Sequence, residues 1–144
     1  MSTEQNKALI RRFYEEVWGK GNVDVANEVF AADYVRHDLR PGNPLPGPAG
    51  QKQIATDFRA AFPDLHFTLE LLVAEADMVV GRWTATGTNT GQWGSIPPTG
   101  KIAKFSAVNI FRIANGKVVE IWNHRDDLGL LQQLDAPIYA GSNR

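Results

Sequence analysis

The sequence predicts one α+β domain over residues 1–144, with helices in its first half and strands in its second. Two periodicities support this prediction. Apolar residues recur every three or four positions as far as Phe62, which is the spacing of amphipathic helices. From Leu65 onward apolar and polar residues alternate, which is typical of strands with one buried face. The length suits one domain, and no repeat or linker divides the chain.

Composition excludes several classes of function. The 15 basic and 16 acidic residues give a net charge of -1, whereas a protein that grips a phosphate backbone usually has an excess of basic residues. Cysteine is absent, which excludes disulfides, thiol nucleophiles and thiolate metal sites. No apolar run approaches the roughly 20 residues of a membrane helix, and the polar start of the chain predicts no signal peptide. We therefore expect a cytoplasmic protein that binds neither nucleic acid nor membrane.

Three helices are predicted in the first half. They cover about residues 2–19, 23–31 and 48–61. Ser2 is a suitable first cap, because Gln5 follows at the spacing of a capping box, and Gly19 suits the end of that helix. A loop with four prolines, at residues 40–50, separates the second helix from the third. Pro48 is favourable in the first turn of the third helix, where its missing N–H is not needed.

Four long strands are predicted in the second half, followed by a short helix at about residues 128–134. The strands cover about residues 65–73, 78–88, 102–113 and 117–124. Asn115-Gly116 is a strong hairpin signal between the last two strands, because both residues accept positive φ. Strands this long twist strongly, so we expect the sheet to curve around the helices and to enclose a hollow.

Polar residues near the ends of the predicted elements are candidates for chemistry. His37 is expected at the mouth of the hollow, as a general base, as a donor to substrate, or as a cap for loop backbone groups. Alternation places Asn123 on the same face as Ile121, where its amide can orient a carbonyl. Asp126 is a candidate acid/base carboxylate if the chain bends inward. Alternatively, residues 124–127 form a surface ion cluster that caps the short helix.

Other candidates come from the strands and the aromatic residues. Asn109 lies within an apolar strand and needs a partner there, so it either lines the hollow or binds a buried neighbour. Four aromatic residues are candidates for binding a flat substrate: Trp18, Tyr34, Trp83 and Trp93. Trp93 lies in a glycine-flanked loop and is also a candidate lid, although such residues more often belong to the core. Histidine spacing does not favour a metal site.

Several short motifs occur in an order that resembles a known family. They include Phe62-Pro63-Asp64-Leu65, Arg82-Trp83-Thr84-Ala85-Thr86-Gly87-Thr88, Gly116-Lys117-Val118-Val119-Glu120-Ile121-Trp122 and Asp127-Leu128-Gly129-Leu130-Leu131. Together they resemble the SnoaL-like polyketide cyclases of the NTF2-like (ketosteroid isomerase-like) superfamily. The resemblance implies a cone in which three N-terminal helices pack on a strongly curved, mainly antiparallel sheet around an apolar cavity. It also implies a homodimer, an apolar small-molecule substrate, and neither metal nor cofactor.

The resemblance further implies ring closure by an intramolecular aldol reaction, in which an Asp on the last strand removes a C–H proton. Here Asn123 occupies the position of that Asp, and an amide cannot accept the proton as a carboxylate does. We predict a cofactor-independent cyclase or isomerase of a polyketide- or terpenoid-like carbonyl compound. Asp126 or His37 moves the proton, and Asn109 and Asn123 orient the substrate. The alternatives are a non-catalytic binding module for an apolar molecule and an epoxide hydrolase on the same fold.

Overall fold

The computed structural model describes residues 2–38 and 45–137, and its elements follow the predicted order. Its helices are α1 (Thr3–Arg12), α2 (Ala26–Val29), α3 (Pro48–Ala61) and α4 (Asp127–Gln133). A π-helical segment, Phe13–Gly19, continues α1, and a 3-10 turn, Val23–Val25, precedes α2. The strands are β1 (Phe30–His37), β2 (His66–Glu75), β3 (Met78–Thr88), β4 (Ile102–Ala114) and β5 (Lys117–Arg125). Part of the predicted loop at residues 40–50 lies outside the described residues.

The described sheet has five strands rather than the four that were predicted. The additional strand, β1, begins where the second helix was expected to continue, because that helix ends at Val29. The strand order is β1-β5-β4-β3-β2. β1 pairs in parallel with β5, with Arg36 opposite Ile121, and the remaining neighbours are antiparallel. The prediction of a mainly antiparallel, curved sheet in an α+β fold is therefore confirmed.

The first helix begins with the predicted capping box. The Ser2 hydroxyl accepts from the backbone N–H of Gln5 at 3.1 Å, and the Gln5 side chain accepts from the backbone N–H of Ser2 at 2.9 Å. From Phe13 onward the helix widens into the π-helical segment, whose buried residues are Phe13, Tyr14, Val17 and Trp18. Single π-helical stretches inside helices are often found at functional sites. This segment brings both Tyr14 and Trp18 onto the inner face of the sheet.

Two glycine-containing sites position the sheet. Asn115 and Gly116 both have positive φ, 52° and 75°, and form the predicted hairpin between β4 and β5. Gly81 of β3 makes a close approach possible, because a Cβ there would lie 2.6 Å from the Tyr14 hydroxyl oxygen. The Tyr14 ring therefore packs directly on the backbone of β3.

Aromatic rings fill the space between the helices and the sheet. The Trp18 ring stacks on the Trp83 ring of β3 at 5.5 Å, and on the Phe67 ring of β2 at 6.1 Å. Phe58 of α3 stacks on Phe105 of β4 at 5.3 Å. In the part of the chain that the structure describes, no helix is long and apolar enough to cross a bilayer.

Candidate functional site

A cavity lies between the helices and the inner face of the sheet. It leaves about 30 Å³ for water, which is room for about two molecules. A substrate the size of a ring must therefore displace some of the lining side chains as it enters. The apolar lining residues are Phe13, Trp18, Ile54, Trp83, Ala107 and Ile121. The polar lining residues are Arg36, Gln51, Asn109, Asn123 and Arg125.

Four side chains form a hydrogen-bond chain across the inner face of β3, β4 and β5, which we call the amide relay. The Tyr14 hydroxyl and the Trp83 indole N–H both donate to Oδ1 of Asn109, at 2.7 and 2.9 Å. Nδ2 of Asn109 donates to Oδ1 of Asn123 at 2.8 Å. An indole N–H can only donate, so Trp83 fixes the orientation of the Asn109 amide. The Asn109 amide in turn fixes the orientation of Asn123.

The amide relay ends on a hydrogen-bond donor at the cavity. Asn123 lines the cavity, and none of the residues in the described ranges accepts a hydrogen bond from its Nδ2. Hydrogen bonds in series polarise one another, so the donors to Asn109 strengthen the N–H groups further along the chain. The relay is therefore suited to donating to a carbonyl or enolate oxygen of a bound molecule.

The relay carries no net charge in the ordinary pH range. Burial raises the pKa of Tyr14 well above its usual value, because the phenolate would be desolvated in the core. The Tyr14 hydroxyl thus stays protonated and remains a donor to Asn109. The two amides do not titrate, so the hydrogen-bonding direction of the relay is independent of pH.

Two guanidinium groups add positive charge to the cavity. Arg36 donates from Nη2 to Asp38 at 2.9 Å. Arg125 donates from Nε to Asp127 at 2.5 Å, and its guanidinium carbon lies 4.5 Å from the centre of the Phe58 ring. Neither guanidinium can serve as a base near neutral pH. Among the described residues that line the cavity there is no carboxylate and no histidine.

Four of the residues predicted for the site line the cavity: Trp18, Trp83, Asn109 and Asn123. Their predicted roles in binding or orienting a substrate are not tested by this placement. Both alternatives considered for Asn109 apply at once, because its side chain lines the cavity and also binds three buried or partly buried neighbours. The sequence therefore indicated the centre of the candidate site.

The other two aromatic candidates lie beside the cavity rather than along it. Tyr34 packs on Phe30 at 4.9 Å, and its hydroxyl accepts from Nε2 of Gln51 at 3.1 Å. Trp93 packs on Phe58 at 5.7 Å, and its backbone bonds to Ile96 in a tight turn. Tyr34 reaches the cavity through Gln51. The lid role of Trp93 stays a prediction.

The two residues predicted to move a proton lie away from the lining of the cavity. His37 is on the opposite face of β1 from Arg36; its ring stacks on Trp122 at 4.9 Å, and its Nε2 is 2.7 Å from Glu120. Asp126 caps α4 by accepting from the backbone N–H of Gly129 at 2.9 Å. This is the helix-capping alternative considered for residues 124–127. The acid/base roles of His37 and Asp126 stay predictions.

Three polar residues of the cavity were not predicted for the site: Arg36, Gln51 and Arg125. Arg125 was expected in a surface ion cluster, and the last strand was predicted to end at about His124. The strand continues for one more residue, so alternation turns Arg125 inward with Ile121. Gln51 had a signal in the sequence, since it lies one helical turn before the apolar residue Ala55 of α3. Arg36 had no such signal in the sequence, because its direction depends on the strand β1, which was not predicted.

The cavity and its polar groups indicate a class of protein, namely one that binds a small molecule. Helices that close one face of a curved sheet around an apolar cavity, with a few convergent polar groups, are typical of small-molecule sites. The chain belongs to the SnoaL-like polyketide cyclase family, whose sequence profile matches residues 8–134. This confirms the resemblance found in the sequence, including its NTF2-like fold. Family membership supports an enzymatic role of the cyclase or isomerase type.

Solved structures support the same assignment. TsrD from Streptomyces laurentii is 25% identical with a TM-score of 0.84, over 95% of this chain and 99% of that chain. A candidate polyketide cyclase from Acidithiobacillus ferrooxidans is 33% identical with a TM-score of 0.76, over 94% and 98%. IdmH, a candidate polyketide cyclase from Streptomyces antibioticus, is 29% identical with a TM-score of 0.75, over 92% and 99%. No curated protein sequence matches the chain significantly.

Proposed function

We propose that the protein is an enzyme that cyclises or isomerises an apolar carbonyl compound without a cofactor. In this proposal the reacting carbonyl oxygen accepts a hydrogen bond from Nδ2 of Asn123. The observation that carries the proposal is the amide relay, which ends on that donor inside an apolar cavity. The family and its similar cyclases support the reaction type.

The chemistry needs stabilisation of an enolate. When a carbonyl compound loses a proton from the carbon next to its carbonyl, negative charge develops on the oxygen. A donor that is already oriented in a dry site stabilises that charge at little cost of reorganisation. In ring closure the enolate carbon bonds to a second carbonyl carbon, whose oxygen takes up a proton. In isomerisation the proton returns to a different carbon.

The residues that line the cavity favour a substrate with an acidic C–H group. No carboxylate or histidine is present among the described lining residues, so we propose a substrate whose C–H is acidified by two neighbouring carbonyls. Such a proton can leave to water once the enolate is stabilised. The aromatic walls formed by Trp18 and Trp83 suit a flat, apolar, polyketide-like skeleton. His37 and Asp126 remain the predicted acid/base groups if a protein base is required.

The test is C–H exchange into D2O, followed by NMR with benzoylacetone and phenylacetone and corrected for the rate without protein. We expect the wild-type protein to accelerate exchange and Asn123→Ala to lower this acceleration by about 100-fold, which is typical for loss of one oxyanion donor. His124→Ala is the control, because His124 neighbours Asn123 in sequence but is exposed. A wild-type protein without acceleration, or an Asn123→Ala variant with full acceleration, would contradict the proposal.

A second candidate is a binding module that does not catalyse a reaction. The lack of a carboxylate or histidine among the described lining residues favours it. Native mass spectrometry of freshly purified protein separates the two, since a binding module returns its ligand unchanged and does not accelerate exchange. An epoxide hydrolase would need a carboxylate to hold the attacking water; incorporation of labelled water into epoxides tests that alternative. The homodimer implied by the family remains a proposal, tested by the mass in solution.

A further inference from the structure

We propose that the substrate carries a carboxylate in addition to its reacting carbonyl, and that Arg36 binds this carboxylate inside the cavity. The inference rests on the proposed function, because it names the substrate class of the same site. It depends on three features of the described residues: hydrogen-bond donors of Arg36 without partners, the contrast with Arg125, and the charge of the cavity lining.

Arg36 has hydrogen-bond donors that no described residue accepts. Its side chain lies on the cavity side of β1 and is 15% exposed. Nη2 donates to Asp38 at 2.9 Å, whereas Nε and Nη1 are both buried without a hydrogen-bond partner among residues 2–38 and 45–137. Buried donors of a charged group are rarely left unpaired, because they have lost the water that would otherwise satisfy them. We therefore infer that a bound ligand supplies the hydrogen-bond acceptor for Nε and Nη1 of Arg36.

Arg125 lines the same cavity but differs in its hydrogen bonds. Its Nε and Nη2 donate to the two carboxylate oxygens of Asp127, at 2.5 and 3.3 Å. Its guanidinium also packs on the Phe58 ring. None of its nitrogens is among the buried donors without a partner in the described structure. Of the two guanidinium groups in the described lining, Arg36 is thus the one with buried donors left for a ligand.

The lining favours a carboxylate over a more highly charged group. Asp38 already balances part of the charge of Arg36. Apart from Arg125, the other polar residues of the described lining are the neutral amides Gln51, Asn109 and Asn123. One partly compensated guanidinium suits a single negative charge in a planar group, whereas phosphate recognition usually combines several cations or backbone donors. The apolar walls require the remainder of the molecule to be hydrophobic.

The sheet register places Arg36 close to the reacting end of the site. Arg36 is opposite Ile121 in the parallel β1–β5 pair, and Asn123 is the next residue on that face of β5. Two residues along a strand span about 7 Å, and neighbouring strands are about 5 Å apart. A carboxylate at Arg36 and a carbonyl at Asn123 can therefore belong to one small molecule. The substrate class is an apolar keto acid.

The test compares naphthoate with its methyl ester and with naphthyl phosphate, by NMR titration of the indole N–H signals of the intact protein. We expect naphthoate to bind about tenfold more tightly than the ester, which is about the value of one hydrogen-bonded charge pair. Arg36→Gln should remove this difference while leaving ester binding in place, and Arg36→Lys should retain part of it. Arg112→Gln, on the outer face of β4, should retain all of it. Thermal unfolding of each variant confirms that it is folded.

Three results would overturn the inference: equal binding of acid and ester by the wild-type protein, a preference that survives Arg36→Gln, or tighter binding of the phosphate. Absence of naphthoate binding at millimolar concentration would also count against it. These outcomes are separate from the test of the proposed function. The exchange test uses neutral ketones, so its result does not depend on whether Arg36 binds a carboxylate: Asn123→Ala should lower their accelerated exchange by about 100-fold in either case.

Discussion

The two faces of β4 and β5 carry polar networks of opposite kinds. On the inner face, the amide relay joins Asn109 and Asn123 through neutral groups. On the outer face, Arg112 donates to Glu120 at 2.9 Å and lies 3.4 Å from Asp77, and His37 lies 2.7 Å from Glu120. We call these last four residues the outer ion cluster. The backbone that supports both networks is the same.

The difference follows from the cost of burying charge. A buried charge without compensation is far more expensive than a buried amide with all its partners, so the inner network uses amides, a phenol and an indole. On the outer face, water solvates the charges, and Arg112 is 42% exposed. Loss of one outer partner is therefore compensated by water, whereas loss of one relay member leaves its neighbours without partners. The following predictions test this contrast, in order of decreasing effect.

The largest effect is expected at the centre of the relay. Asn109→Leu removes the acceptor of both Tyr14 and Trp83, so two buried donors lose their partner. We expect the free energy of unfolding to fall by about 3 kcal/mol, measured by urea denaturation. The outer-face control His124→Ala should change it by less than about 0.5 kcal/mol. A relay variant as stable as the control would show that the network contributes nothing to stability.

The next effect concerns the space that Tyr14 occupies. A Cβ on Gly81 would lie 2.6 Å from the Tyr14 ring and hydroxyl, so Gly81→Ala must push Tyr14 away from Asn109. We expect a loss of about 2 kcal/mol, as for other overpacked cores, together with a shift of the Trp83 indole N–H signal in NMR. The neighbouring exposed residue Arg82, replaced by alanine, is the matched control. Unchanged stability and an unchanged indole signal in Gly81→Ala would contradict this packing.

A smaller effect is expected at Asp126, where β5 ends. Asp126→Ala removes the cap of α4 and should cost about 1 kcal/mol, whereas Asp126→Asn keeps a good cap and should cost little. The pair also tests the catalytic prediction made from the sequence. If Asp126→Asn is stable but loses exchange activity, Asp126 acts on the proton; if it keeps activity, the carboxylate serves only as a cap. Thermal unfolding and the exchange assay provide the two measurements.

The smallest effect is expected in the outer ion cluster, and it should depend on pH. Hydrogen bonds from His37 and Arg112 lower the pKa of Glu120 below its usual 4.5. A carboxylate with a lowered pKa in the folded state stabilises the fold above its unfolded pKa, and this contribution is lost as pH falls through the lower, folded value. Glu120→Gln should therefore be slightly less stable than wild type near pH 7. The two proteins should converge in acid as pH falls through the folded value; a constant difference at every pH would contradict the ion-pair explanation.

The sequence predicted the fold well where one periodicity continued over many residues. The predicted limits of β3, residues 78–88, and of the third helix match the structure. β1 was missed because it directly follows α2 and is short, polar and at the edge of the sheet, so no alternation separates it from a helix end. Edge strands commonly carry charged residues, which weakens their pattern further. Missing β1 also concealed the inward direction of Arg36.

The site was predictable to the extent that alternation along a strand fixes a face. Asn109 and Asn123 lie within long strands of clear period, so alternation shows which neighbours share their face, and both residues line the cavity. The hydrogen bond between Tyr14 and Asn109 was not predictable, because the two residues are 95 positions apart. It also depends on the π-helical segment and on the absence of a Cβ at Gly81, against which the Tyr14 ring packs. Such contacts depend on how two elements pack, which no local pattern encodes.

The parallel pairing of β1 with β5 has a consequence for the order of assembly. β1 lies at the sheet edge and pairs with no other described strand, so its backbone stays unpaired until residues 117–125 have been synthesised. Pairing between distant segments is slow, and a strand edge that is still unpaired can aggregate or pair with the wrong segment. Arg36 reaches the cavity from β1, and Asn123 and Arg125 reach it from β5. The binding site is therefore completed only when β1 pairs with β5, late in the biogenesis of the chain.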